Sequence, residues 1–270
     1  LARRLDLPLA MGWHTSLHEY AGSRLERMLP WAPETFRQKG AIAVQRKTLD
    51  YLRWFYQKAR VILAPNDELV GFMHELMARP TFLMQRGVDT NLFSPQRRKR
   101  ETNTFRIGYV GRLTPEKNVR FLAELAEMLQ QKGHEEFEFT IIGQGSEREW
   151  LRENVPHSTF PGVLRGEDLA RAYADLDLFV FPSTTDTFGN VVLEALASGV
   201  PCVVTNSGGP KFLVQTGVTG YVAEDFASFG AYVNRLLDDL ERHRAMRDAA
   251  RRYACTLSWD SVFEKVFDAY

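Results

Sequence analysis

From Phe181 to Ala195 the chain reads Phe-Pro-Ser-Thr-Thr-Asp-Thr-Phe-Gly-Asn-Val-Val-Leu-Glu-Ala, and this stretch restricts the architecture more than any other. The apolar run 178–181 reads as a buried strand. The polar loop after it carries Asp186, and Gly189 and Asn190 open a helix with Glu194 on its second turn. A strand that feeds into a helix start leaves the first N–H groups of the helix pointing out of the end of the sheet. Directed donors and the positive pole of the helix dipole attract phosphate there. Glu194 follows Asn190 by four residues and shares its face of the helix. One site can therefore present backbone donors to a phosphate and two carboxylates to the hydroxyls of a ribose or a hexose.

The rest of the chain supplies a frame for such a site. Strands are predicted over 105–110, 137–142, 178–181 and 202–205, with helices over 118–131 (capped by Asn118 and stopped by Gly133), 146–154, 166–174 and 190–198. Near-continuous apolar strands alternating with helices predict an α/β fold with a parallel, doubly wound sheet, whose ligands bind at the carboxyl ends of the strands. Upstream, 5–12 reads as a strand, 23–77 as helical with breaks at Pro30, Pro33 and Pro65, and 61–64 as a short strand. Thr48 to Ala59 mixes rings with cations (Tyr51, Arg53, Trp54, Phe55, Tyr56, Lys58). This pattern fits a membrane-surface helix, but the favoured reading is an amphipathic helix packing its rings on a sheet. Residues 94–104, with Pro95 and the run Arg97-Arg98-Lys99-Arg100, read as a solvated inter-domain hinge.

The 270 residues are 44% hydrophobic, enough for a sizeable core and one or two domains. The 34 basic and 34 acidic side chains cancel, which gives no electrostatic ground for a nucleic-acid partner. Cys202, in an apolar run, and Cys255 make no ligand cluster, so both read as structural thiols of a reducing compartment. With no apolar run near the ~18–20 residues of a membrane span and no signal-peptide pattern, a cytoplasmic protein is expected.

Three further stretches join the first: Arg86-Gly87-Val88-Asp89 with Phe93 and Pro95; Gly111-Arg112-Leu113 with Glu116-Lys117-Asn118; and Ser207-Gly208-Gly209-Pro210 with Gly220-Tyr221-Val222. With the acid pair around Phe188-Gly189, and in this order, they resemble the family-4 retaining glycosyltransferases (glycosyl transferases group 1). The resemblance implies a GT-B fold of two Rossmann-like domains. It divides this chain into 1–95 (the remainder of an acceptor-side domain whose earlier part is missing), 96–255 (the nucleotide-sugar domain) and 256–270 (a helix crossing back to the first domain). It further implies transfer of a hexose from a UDP- or GDP-sugar, with retained configuration and no metal or other cofactor. The acceptor would be lipid-linked or a saccharide, and the protein would touch the inner face of the membrane peripherally. Arg112 and Lys117 would stabilise the leaving diphosphate, and Gly111, Phe188, Gly189, Asn190 and Val191 would line the donor site. Glu194 would grip the ribose and Asp186 the hexose. His14, after the first strand, would face the donor sugar. The alternative is a fragment that binds nucleotide sugar without turnover.

Two departures from the family pattern stand out: Asp186 where Glu is commonest, and Phe212 where Glu usually follows the Gly-Gly-Pro turn. Three look-alikes are set aside. Gly143-Gln144-Gly145 follows a strand like a dinucleotide fingerprint, but Arg148 occupies its third glycine position, so it reads as a tight turn beside the nucleotide base. Asp175-Leu176-Asp177 resembles a metal-binding acid pair of another glycosyltransferase fold, yet it precedes its strand and belongs to the other end of the sheet. His14 and His18 have helical metal spacing without a third ligand nearby.

Overall fold

The computed structural model describes residues 8–14, 17–100 and 104–268. The chain packs as two units, 1–85 with 264–270, and 86–263. In the first unit the order is β1 (Ala10–Gly12), α1 (Leu17–Met28), α2 (Glu34–Tyr56), β2 (Val61–Ala64), α3 (Asp67–Met77) and β3 (Thr81–Leu83). The three strands form a parallel sheet in the order β1-β2-β3. The earlier part of the strand predicted over 5–12 lies outside the described residues. Trp13, Leu52, Ile62, Met73 and Met77 make the core, and the Tyr56 hydroxyl pins α2 to β1 by donating to the Gly12 carbonyl at 3.0 Å. Asn66 caps α3, accepting from the Leu69 N–H at 2.9 Å.

The prediction for α2 needs correction. Leu52 is buried and Tyr56 half-buried, but Tyr51, Trp54 and Phe55 are exposed, and Lys58 Nζ lies 3.3 Å from the centre of the Trp54 ring. Tyr56 packs on the sheet as predicted, but the other three rings do not, because one 3.6-residue face suffices for the core and they sit off it.

The second unit holds β4 (Phe105–Val110), α4 (Phe121–Gln131), β5 (Phe137–Ile142), α5 (Arg148–Asn154), β6 (Ser158–Gly162), α6 (Gly166–Ala174), β7 (Leu178–Phe181), α7 (Asn190–Ala197), β8 (Cys202–Thr205), β9 (Gly220–Ala223), α8 (Phe226–Asp238), α9 (Leu240–Cys255) and the start of α10 (Trp259–Asp268). The six strands are all parallel, in the order β6-β5-β4-β7-β8-β9. β7 and β8 are buried throughout, as an apolar run in a covered parallel sheet requires. Helix α4 packs with α5 and α8, and α7 with α6 and α9, giving two helix layers. β6 escaped prediction because it is an edge strand, half-exposed and interrupted by Pro161. Asn118 does not cap α4. It takes a left-handed conformation (φ 51°) after a tight turn at Pro115–Lys117, and α4 begins at Phe121.

Residues 86–93, expected with the first domain, are sewn into the second unit. The Val88 N–H donates to the Leu257 carbonyl at 3.0 Å, and Arg251 donates to the carbonyls of Thr90, Phe93 and Ala197 at 3.0, 2.8 and 2.6 Å. The basic run is no solvated hinge either. The Arg100 side chain is 4% exposed, and Arg98 and Arg100 hold Asp177 at 2.7 and 2.9 Å, while Asp175 accepts the N–H groups of Lys99 and Arg100. The sequence shows the cations but not the acids they meet from across the unit. Cys202 is buried as expected, whereas Cys255 is exposed and contributes nothing to the core.

This latch contributes to the pH dependence of the fold. Burial opposes ionisation of Asp177, but the Arg106 N–H (2.9 Å) and the guanidinium groups of Arg98 and Arg100 outweigh it and hold its pKa below the usual range. Burial also pushes the His243 imidazole down, although its Nε2–H donates to the Asp177 carbonyl at 2.7 Å. Both groups take up a proton more readily unfolded than folded, so both contribute stability at neutral pH that is lost on acidification. The His243 contribution declines below about pH 6.5 and that of Asp177 below about pH 4. In urea melts across pH, His243→Gln should flatten the loss between pH 7 and 5 and leave the fall below pH 4. Equal slopes for variant and parent between pH 7 and 5 would show that His243 does not carry it.

Candidate functional site

β4 and β7 are neighbours in the sheet while their crossovers run to opposite sides, so the loops at their carboxyl ends part. A cleft of ≈320 Å³ opens at this point. Val110, Gly111, Arg112 and Lys117 line it from β4 and its loop, and Phe181 and Asp186 to Val191 from β7 and the start of α7; Arg86 joins them. The predicted residues Gly111, Arg112, Lys117, Asp186, Phe188, Gly189, Asn190 and Val191 thus fall on one surface. His14 is exposed at the carboxyl end of β1, in the other unit.

The walls are positioned by backbone meeting backbone. The Leu113 N–H donates to the Gln144 carbonyl at 2.9 Å, and the Glu147 N–H to the Leu113 carbonyl at 2.9 Å. A Cβ on Gly143 would collide with the Gly111 carbonyl oxygen, and one on Gly145 with that of Leu113. The Gly143-Gln144-Gly145 turn is therefore a support that lets two loops close on each other and sets the height of Arg112. Opposite it, the Gly209 N–H donates to the Asp186 carbonyl at 2.7 Å, and a Cβ on Gly208 would strike that oxygen. Gly189 has φ 96°, a left-handed turn that only glycine enters without strain, and it starts α7 with no side-chain cap. The first bond of that turn runs from the Val192 N–H to the Gly189 carbonyl, so the start of α7 faces the cleft with uncapped donors.

Lys117 is the central cation. Its side chain is 10% exposed, and Nζ lies 2.7 Å from Asp186 Oδ2, which also accepts the Ser183 hydroxyl at 2.6 Å. Arg112 is far more exposed and pairs with Glu116 at 3.4 Å. The Tyr109 hydroxyl beneath them donates to the Arg112 carbonyl at 3.0 Å and is held protonated by burial and by the Asp186 charge. Glu194 sits one turn along α7, beyond the cleft wall. Burial raises its pKa, and Oε2 accepts the Tyr173 hydroxyl at 3.0 Å.

Sequence reasoning passed over Arg86 as a site residue, although it opens one of the four motifs. Tyr173 gave no signal, being one more ring on an amphipathic helix. The Asp175–Asp177 pair stands at the amino ends of the strands, where the Asp177 N–H donates to the Arg106 carbonyl at 2.9 Å and arginines neutralise the side chain. Among the described residues, no three His, Cys, Asp or Glu side chains gather where they could hold a metal ion.

A doubly wound parallel sheet with an anion-suited cleft at its switch point, and a second unit with its own parallel sheet, are the α/β architecture of the GT-B fold. Residues 104–239 match the family described as Glycosyl transferases group 1, and the chain belongs to it. A GDP-mannose-dependent alpha-mannosyltransferase of Corynebacterium glutamicum is 32% identical over 82% of this chain and 52% of its own length. One of that name from Mycobacterium tuberculosis is 30% identical over 100% of this chain and 68% of its own. The chain thus spans about half the length of the first of these relatives. Among solved structures, Anabaena HepE in complex with UDP and glucose superimposes with a TM-score of 0.76 at 19% identity, over 99% of this chain and 72% of that one. Sucrose-phosphate synthase from Thermosynechococcus elongatus gives 0.71 at 20% identity, over 100% and 76%.

The loop supports predict their own test. Gly143→Ala must push the Gly111 carbonyl away, so it should lower stability by roughly 1–3 kcal/mol, as overpacking does, and weaken nucleotide binding through displaced Arg112. Gly133→Ala, at a turn where a Cβ meets nothing within 4 Å, should strain only its own backbone and leave nucleotide affinity at the parent value. Equal nucleotide affinities in parent and Gly143→Ala by calorimetry would remove the supporting role.

Proposed function

We propose that the protein moves a hexose from a nucleoside-diphosphate sugar, of the UDP or GDP class, to a lipid-linked or saccharide acceptor, without a metal ion and with retention at the anomeric carbon. The observation that carries this reading is the convergence of Arg86, Arg112, buried Lys117 and the uncapped start of α7 on one cleft. When the glycosidic bond to the diphosphate breaks, negative charge grows on the leaving oxygens. Fixed cations and helix N–H groups aimed at that charge lower the barrier without a cofactor. Retention then follows if the acceptor hydroxyl attacks from the face the diphosphate leaves. Its proton passes to a departing phosphate oxygen, so no protein nucleophile is needed. The names of the curated relatives favour GDP-mannose as donor.

The remaining groups take roles consistent with their surroundings. Glu194 accepts ribose hydroxyls. Asp186, one methylene shorter than the family's usual acid and engaged by Lys117, accepts from the hexose once a diphosphate draws Lys117 away. His14, exposed at the end of β1, is assigned to the donor sugar by the likeness of its position after the first strand to the family's histidine. No helix among the described residues is long and apolar enough to cross a membrane. A peripheral contact with the inner membrane face is supported instead by exposed Tyr51, Trp54 and Phe55 with Lys58 on α2 and the turn after it.

A thermal-shift panel of GDP, UDP, ADP and NAD tests the donor class: GDP should stabilise the fold most and NAD not at all. Lys117→Ala should cost diphosphate binding roughly 1.5–3 kcal/mol, the range for a charged hydrogen bond. Affinity that collapses in chelator and returns with magnesium or manganese would overturn the metal-independent reading. For the membrane contact, Trp54→Ser with Lys58→Glu should cut co-sedimentation with anionic vesicles several-fold, since each cation near such a surface contributes about 1 kcal/mol. Unchanged sedimentation would remove α2 from that role.

A further inference from the structure

Tyr173 is wholly buried on α6, its ring set edge-on against Phe93 at 5.7 Å between centroids and tilted against Phe179 at 5.8 Å. A phenol locked in this way cannot follow a moving partner. Its hydroxyl donates to Glu194 Oε2 at 3.0 Å. That bond holds one oxygen of the carboxylate, Oε2, and so restricts its rotation. It also compensates part of the burial cost of the charge: burial raises the Glu194 pKa and the Tyr173 hydrogen bond opposes the rise. Without it, a carboxylate this enclosed would hold its proton more readily and accept ribose hydroxyls poorly.

We infer that Tyr173 is a positioning residue for nucleotide recognition, whose hydroxyl orients the Glu194 carboxylate and keeps it in its acceptor form for the 2′- and 3′-hydroxyls of a nucleoside diphosphate. The inference rests on the ribose role proposed for Glu194. The other groups near the pair leave it undisturbed. Cys202 of β8 and Tyr109 of β4 are held protonated by burial. Arg251, from α9, is occupied by the carbonyls of Thr90, Phe93 and Ala197. The contact also joins two stretches distant in the chain: Phe93 closes the segment that Arg86 opens, and it packs on the ring that sets Glu194.

The test is calorimetric titration with GDP and 2′-deoxy-GDP across pH 5–8, for the parent, Tyr173→Phe and Glu194→Gln. Phenylalanine keeps the ring and its packing, and melting curves show whether each variant is folded. Tyr173→Phe should bind GDP about tenfold more weakly, the loss expected of one charge-assisted hydrogen bond. Its preference for GDP over the deoxy compound should shrink. Its affinity should also fall away at a higher pH than the parent's, because the unassisted carboxylate protonates earlier on acidification. A purely structural role for Tyr173 would lower the melting temperature without moving the pH profile or the ribose preference. If Glu194→Gln weakens binding while Tyr173→Phe keeps the parent's affinity and pH profile, the positioning role is overturned and the ribose role of Glu194 stands. If Glu194→Gln itself binds GDP as the parent does, the ribose role falls, and the positioning role with it.

Discussion

β4 hydrogen-bonds to β5 on one side and to β7 on the other, and everything at the site depends on that placement. Right-handed crossovers send the connections after β4 and β7 to opposite layers, so a gap has to open between two adjacent strand ends. Backbone polar groups at such a gap still need partners. They find them in the next loop out: the Leu113 N–H on Gln144, and the Gly209 N–H on the Asp186 carbonyl. Each wall is thus braced by a glycine turn behind it, and the side chains on the walls inherit that rigidity.

The two ends of the sheet use the same residue types for opposite purposes. At the amino ends, Arg98 and Arg100 are engaged by Asp177, whose removal would take a carboxylate partner from each guanidinium group. At the carboxyl ends, Lys117 is nearly as enclosed but faces a cleft, and one carboxylate, Asp186, stands against it. An anion entering the cleft would compete with a single aspartate for that ammonium group, whereas the latch arginines are also held by the carbonyls of Ala174, Asp175 and Leu176. Charge alone does not separate a structural cation from a functional one. Position along the strand does.

In glycosyl transfer the leaving group carries the electrostatic load, and a preorganised cation beside a helix start answers it without reorganisation at the moment of reaction. The ribose end of the ligand poses a different problem, because the acid proposed to hold it is partly buried. The Tyr173–Glu194 contact answers this by spending a buried hydroxyl on one carboxylate oxygen. The cleft and this contact are linked through α7: its first turn faces the cleft and its second carries the acid.

The sequence by itself determined the local units. The strand-loop-helix from Leu178 to Ala197, the loop after β4 and the glycine turns are written in neighbouring residues, because strand and helix periods and glycine conformations act over a few positions. That is why Gly111, Arg112, Lys117, Asp186 and Phe188 to Val191 could be placed at strand ends from the sequence, whereas at the left-handed Asn118 a local tight turn displaced the expected cap. The tertiary structure alone decided which distant groups meet. Arg86 reaches the cleft because residues 86–93 are tied to α9 and the Leu257 carbonyl; Arg98 and Arg100 find Asp177 across the unit; Gly143 must be bare because Gly111 lies against it; and Tyr173 becomes a hydrogen-bond donor only when α6 packs beside α7. A buried charge or hydroxyl is defined by its partner, and a partner many residues away leaves no trace in the local pattern.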